Sequence, residues 1–306
     1  MTKKPLPGDD PKTVYRQRGL DRIHRFLMAG DSVRGFLVRA NRVVGEMKAN
    51  HGLGPLETLL MGQASMGALM MAANLKDLGR LRLQWECGGP VGGLSVEADS
   101  HGTVRGYLQN VPIVLEEAPD GSLPDLFGPG FITVTRLFEG MAEPRSGTVV
   151  LRHGRIAQDL TAYHLESEQV PSAMALSVSF DTEGEPTGAG GLFLQALPDA
   201  PEEVIAGLES TLESFPSLGD AFTEGRDAEA LILELFAAQA PRFLDSKRVE
   251  FFCPCDADLF RRYLRGLSSA DREEIREHGP FPLEITCQNC STVYEFEESE
   301  IRDLLA

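Results

Sequence analysis

Along the chain, the spacing of apolar and polar residues divides it into a long strand-rich stretch, a helical stretch and a cysteine-bearing end. Residues 31–48, DSVRGFLVRANRVVGEMK, begin by alternating and then lose the period; they read as a strand with Arg34, Leu37 and Arg39 near its start. Residues 56–75 are apolar nearly all round. The length would span a bilayer, but Glu57, Gln63 and Asn74, with the small residues Gly62, Ala64, Ser65, Gly67 and Ala68, predict a buried helix. Its methionines Met61, Met66, Met70 and Met71 suit the irregular gaps of a core. Strand-like runs follow at 80–86, 94–98, 103–109, 131–138 and 148–152, a helix at 155–169, and two more strands at 173–180 and 191–197 around the turn TEGEPTGAG. After Pro198 the pattern turns helical at 201–214, 218–222 and 228–238. The segment APRFLDSKRVE then reads as the passage to a separate domain.

Composition changes this picture in two places. A chain of 306 residues with 42% hydrophobic content supports a main domain and an appendage. A formal charge of −17 repels a phosphate backbone, and residues 249–306 carry 13 acidic against 6 basic side chains, which argues against nucleic acid as a partner. The only basic region is residues 1–48, with 11 basic and 5 acidic side chains; a solvated face accounts for it. The opening MTKKPLPGDDPKT is polar and reads as a frayed end without a targeting run, so a cytoplasmic location with no membrane partner is expected.

Candidate chemistry gathers at the carboxyl-terminal end. Four of the five cysteines form two tight pairs, Cys253 and Cys255 in FFCPCD, and Cys287 and Cys290 in ITCQNCSTVY. Two pairs separated by a stretch long enough to fold back offer the four corners that a tetrahedral metal needs. Zinc is the default occupant, because it accepts four thiolates at about 2.3 Å and requires no redox chemistry; an iron-sulfur cluster is the alternative. The second pair has ordinary knuckle spacing. The first is rarer, since Pro254 alone separates its sulfurs and holds φ near −65°. The lone Cys87 reads as a small buried hydrophobe.

Elsewhere no catalytic constellation emerges. The glycines of CGGPVGG match neither a phosphate loop nor a dinucleotide fingerprint, GQASMG has the wrong spacing for a nucleophile elbow, and the six histidines stand apart. A non-enzyme is expected.

These motifs together resemble heat-shock protein 33, the bacterial redox-regulated holdase chaperone. The resemblance runs along nearly the whole chain and rests on FFCPC followed by ITCQNCSTVYEF, with 31 residues between Cys255 and Cys287, and on SVRGFLV, GGPVGGLSVEADSHGTVRGY, HLESEQVPS and GAGGLFLQALP in order. It implies an α+β fold: an amino-terminal mixed α/β domain at 1–197, a helical linker at 198–248 and a small carboxyl-terminal zinc-binding domain at 249–306. It also implies that Cys253, Cys255, Cys287 and Cys290 bind one zinc per chain in an inactive reduced monomer. Oxidation in such a family forms disulfides among the same four residues, releases zinc, loosens the chain, promotes a homodimer and exposes surface for unfolding client proteins during stress. The acidic carboxyl-terminal end leaves client preference open. Two rivals stay on the table: a constitutive zinc-ribbon interaction module, and a thiol-disulfide oxidoreductase with Cys287 and Cys290 as its active pair.

Overall fold

The computed structural model describes residues 20–75, 78–115, 124–140, 143–198, 200–213 and 215–305. The polar opening 1–13 and Ser214 at the end of the expected helix 201–214 lie outside them. The described residues fall into two compact units that divide between Phe252 and Cys253.

The larger unit begins with a hairpin, β1 (Arg22–Met28) and β2 (Val33–Arg39). Ala29, Gly30 and Asp31 all take positive φ in its turn. The strand expected to run through 31–48 stops at Arg39, and a helix α1 (Asn41–His51) takes over. The change of element has a physical cause: the Asp21 carboxylate accepts the backbone N–H groups of Arg42 and Val43, at 2.8 Å each, and so satisfies donors that a helix start leaves open. Burial pushes that carboxyl up to about 7.

Helix α2 (Pro55–Ala73) is the buried helix that the sequence predicts. It packs against strands of two different sheets, which explains why it carries no polar face. Met61, Met66, Met70 and Met71 are all in the core. One sheet has six strands in the order β11-β5-β4-β3-β6-β7: β3 (Gly79–Cys87), β4 (Gly93–Asp99), β5 (Thr103–Leu108), β6 (Gly130–Phe138), β7 (Arg145–Val150) and β11 (Glu250–Phe251). Leu81, Leu83 and Trp85 alternate inward on β3, as period two requires. Gly92 and Gly93 take φ of 68° and 151° in the β3–β4 turn.

The other sheet has five strands in the order β10-β1-β2-β9-β8, adding β8 (Ser172–Phe180), β9 (Pro186–Ala196) and β10 (Arg242–Arg248). Short helices α3 (Pro124–Phe127) and α4 (Ile156–Glu166) lie between the strands in sequence. Both faces of this sheet are covered. Ile23, Phe36, Val38 and Phe193 join α2 in the main core. Phe26, Met28, Leu37, Leu192 and Leu194 point the other way into a second cluster, closed by Leu218, Phe222, Leu231, Ile232 and Phe236.

Those closing residues come from the helical stretch. It comprises α5 (Glu202–Glu213), α6 (Leu218–Thr223) and α7 (Ala228–Leu235), followed by a single 3-10 turn (Ala237–Gln239). Ser217 and Asp227 cap α6 and α7 through the N–H groups of Asp220 and Ala230. The expected passage between domains at APRFLDSKRVE is instead a strand, β10, paired antiparallel with β1, and its continuation β11 pairs with β5 of the six-stranded sheet. Its polar sequence concealed it: β10 is a sheet edge, and most of its side chains face solvent.

The close fit of the second cluster makes a prediction. Gly35 lies opposite Phe26 in the hairpin, and a Cβ there would overlap the Phe26 ring, which is fully buried. Gly35→Ala should therefore cost about 1–3 kcal/mol through overpacking. The expected result is a lower urea midpoint with an unchanged slope.

Candidate metal centre

The smaller unit is built from α8 (Ala257–Arg265), α9 (Ser269–His278), a hairpin of β12 (Leu283–Thr286) and β13 (Val293–Phe296), and α10 (Glu298–Leu304). Its apolar core is slender: Phe260, Leu264, Tyr294, Phe296, Ile301 and Leu305 are buried, and Cys287 and Cys290 join them.

Each cysteine pair is held by its own local geometry. In the second pair, the Cys287 carbonyl accepts N–H groups from Cys290 at 3.3 Å and Ser291 at 2.7 Å, while the Cys287 N–H donates to the Thr292 carbonyl at 2.8 Å. Ser291 takes a φ of 54° to close this turn, which lies between β12 and β13. In the first pair, Asp256 follows Cys255 directly and caps α8 by accepting the Leu259 N–H at 2.7 Å. Tyr294 ties this arm to β13: its hydroxyl donates to the Cys255 carbonyl at 2.9 Å and lies 3.2 Å from Cys255 Sγ. Phe260 packs on the Tyr294 ring with centroids 4.9 Å apart.

The two arms bring all four predicted residues together. The sulfurs of Cys253, Cys255, Cys287 and Cys290 lie within 4.8 Å of one another, and among the described residues they are the one group of three or more potential ligands that could hold a metal ion. The Cys253 and Cys287 sulfurs are 3.8 Å apart, and those of Cys255 and Cys290 are 3.3 Å apart. Four thiolates about 2.3 Å from a tetrahedral ion would sit about 3.8 Å from each other, so the donor set and its spacing fit such an ion. Cys87 is elsewhere, half-buried at the end of β3, and burial pushes its thiol up.

The sulfurs perturb one another strongly. Cys290 is pulled well below the usual thiol range by the neighbouring thiols of Cys253 and Cys287, with further help from Thr292. Cys287 is pushed up, chiefly by its hydrogen bonds to Cys253 and Cys290, and burial pushes Cys255 up to about 11. The first negative charge is therefore easy to place in the cluster, and further ones are opposed. Tyr294 and Thr292 escaped the sequence reading. Their signal was present in STVY, where a hydroxyl and an aromatic ring alternate just beyond the second pair.

Residues 21–297 match the family model described as Hsp33 protein. The chain belongs to the Hsp33 family. The 33 kDa chaperonin of Ruminiclostridium cellulolyticum is 36% identical over 288 residues, covering 93% of this chain and 98% of that protein. The 33 kDa chaperonin of Thermus thermophilus is 35% identical over 302 residues, covering 94% and 87% respectively. The crystal structure of the 33 kDa chaperonin, a heat shock protein 33 homologue, from Thermotoga maritima superposes with a TM-score of 0.83 at 27% identity, over 94% of this chain and 98% of that one. This Hsp33-family chain is thus a chaperone and not an enzyme, with the mixed helix and sheet fold of its relatives.

The ligand set is tested by metal content. Reduced protein should carry one divalent ion per chain, Cys290→Ser should lose it, and Cys87→Ser should keep it, measured by elemental analysis of the desalted protein. Loss from the Cys87 variant with retention in the Cys290 variant would overturn the assignment.

Proposed function

We propose that the chain is an ATP-independent holdase controlled by the redox state of Cys253, Cys255, Cys287 and Cys290. The observation that carries this reading is the crowding of four thiols, all within 4.8 Å, in a unit with few other buried apolar side chains. Zinc is the ion that suits them: held by four thiolates, it would contribute on the order of 10–16 kcal/mol of folding free energy. The core of so small a domain rarely supplies more than about 3–5 kcal/mol. The smaller unit, residues 253–306, then stays folded only while the thiolates share an ion.

Oxidation removes that arrangement. Two thiolates on one ion sit about 3.8 Å apart, whereas a disulfide requires about 2.05 Å, so the same sulfurs serve one bond or the other. Each pair of thiolates that joins yields two electrons; a peroxide accepts them with two protons and leaves as two waters. The disulfides between sequence neighbours close rings too small to replace the lost stability. In this reading oxidation also loosens the helices of 198–248. Leu231, Ile232 and Phe236, together with the face of Phe26, Leu37, Leu192 and Leu194 that they cover, would then hold apolar segments of unfolding proteins. Leu235, partly buried beside them, belongs to the same surface. In this reading the active species is an oxidised homodimer in the cytoplasm, recruited under stress. The charge of −17 keeps nucleic acid away. Among the described residues no helix is long and apolar enough to cross a membrane.

Light scattering of a thermally unfolding enzyme is the test. Oxidised protein should suppress aggregation without ATP, reduced zinc-loaded protein should not, and reductant with zinc should reverse the effect. Equal suppression by both forms would sink the switch and favour a constitutive zinc-ribbon module; reduction of insulin disulfides would favour an oxidoreductase.

The pairing of the disulfides is a separate expectation. The close approaches of Cys253 to Cys287 and of Cys255 to Cys290 cross the two arms. If the unit unfolds as the ion leaves, chain connectivity governs instead, and proteolytic mapping should find Cys253 joined to Cys255 and Cys287 to Cys290. Mainly crossed pairs would mean that oxidation traps the folded cluster.

A further inference from the structure

The two arms of the cysteine cluster are not held in the same way. The second is held by its own backbone: three hydrogen bonds among Cys287, Cys290, Ser291 and Thr292 close the turn between β12 and β13. The first arm has Pro254 between its cysteines, and proline has no N–H to give to a turn of that kind. The Cys255 carbonyl accepts from a side chain instead, the Tyr294 hydroxyl at 2.9 Å.

The placement of Tyr294 suits this role. It lies in β13 opposite Ile285 of β12, so the hairpin that carries the second pair fixes its backbone. Its ring is buried and packs on Phe260 of α8, the helix that Asp256 caps directly after Cys255. Ring and hydroxyl therefore both reach the first arm, from a position four residues after Cys290. The hydroxyl has one proton and two acceptors in range, the Cys255 carbonyl and, at 3.2 Å, Cys255 Sγ. A thiolate at Cys255 competes for that proton, and a bond to charged sulfur is the stronger kind.

We propose that Tyr294 is the positioning residue of the metal centre: its hydroxyl holds Cys255 where a ligand must stand and thereby sets how readily the thiols become open to oxidation. The inference rests on the metal and redox reading above and adds the group that regulates it. Losing a hydrogen bond to a metal ligand lowers affinity about 10- to 100-fold. Without the hydroxyl, the Cys255 sulfur is free of its place more often, and peroxide takes the same two electrons from the thiols sooner.

Zinc affinity of the full-length reduced protein, read by competition with a chromogenic chelator, tests the role. Tyr294→Phe keeps the ring against Phe260 and should bind zinc about tenfold or more weakly than the unsubstituted protein. Tyr263→Phe alters an exposed ring of α8 and should leave the affinity unchanged. In the loaded Tyr294→Phe protein, hydrogen–deuterium exchange should rise at residues 253–258 while the turn at 287–292 keeps its protection; a general loss of packing would raise both. Circular dichroism verifies the fold, and cadmium, which thiolates hold more tightly, replaces zinc for a variant that zinc does not load. The proposal falls if Tyr294→Phe matches the unsubstituted protein in affinity, if Tyr263→Phe loses as much, or if exchange rises equally in both arms. Aggregation assays judge the holdase reading separately: weakened zinc binding in Tyr294→Phe, with an oxidised protein that holds no client, keeps the positioning role and removes the switch.

Discussion

Four sulfurs held within 4.8 Å of one another cannot all carry negative charge without a cation to share it. That constraint governs the smaller unit. The opposed shifts of Cys290 and Cys287 express it directly, because one thiolate is stabilised by its neighbours at the expense of the next. The local scaffold does not relieve the crowding. It enforces it, through the turn at Ser291 on one arm and the Tyr294 hydroxyl on the other. Under the reading proposed above, the stability of such a unit is set by what the sulfurs bind, and only secondarily by Phe296, Ile301 and their neighbours.

The larger unit is organised on a different balance. Its long helix α2 is apolar on every side because both sheets need it. The five-stranded sheet is more exposed to circumstance, since its second apolar face is closed only by α5, α6 and α7. His24 of β1 meets Glu229 of α7 at 3.0 Å, a polar tether at the margin of that closure. One half-exposed partner makes this contact weak, so the closure rests on apolar burial.

The metal ligands were legible in the sequence because paired cysteines are rare and their spacing is a chemical statement in itself. Five strands of the six-stranded sheet, β3 to β7, were legible too, since one face is buried and the other solvated, which writes a period of two into β3 and β6. The start of α1 was not, because its cap is Asp21, twenty residues earlier than the helix it serves and silent in any local window. Strand β10 was missed for the opposite reason: an edge strand rich in charge carries no apolar alternation to read. Tyr294 was hidden because its role depends on Cys255, 39 residues away in sequence.

The lengths of the covering helices give the arrangement its functional character. At 12, 6 and 8 residues, α5, α6 and α7 are at or below the length at which an isolated helix is even marginally stable in water. Their helicity must therefore come from the sheet face they bury, and the burial of that face must come from them. Neither side of this bargain survives alone, so a modest loss of support can release both together. Helix α2, by contrast, has 19 residues and two sheets around it, and has no reason to follow. Under the holdase reading proposed above, such a chain would uncover the apolar face of the five-stranded sheet while α2 and the six-stranded sheet stay folded beneath it.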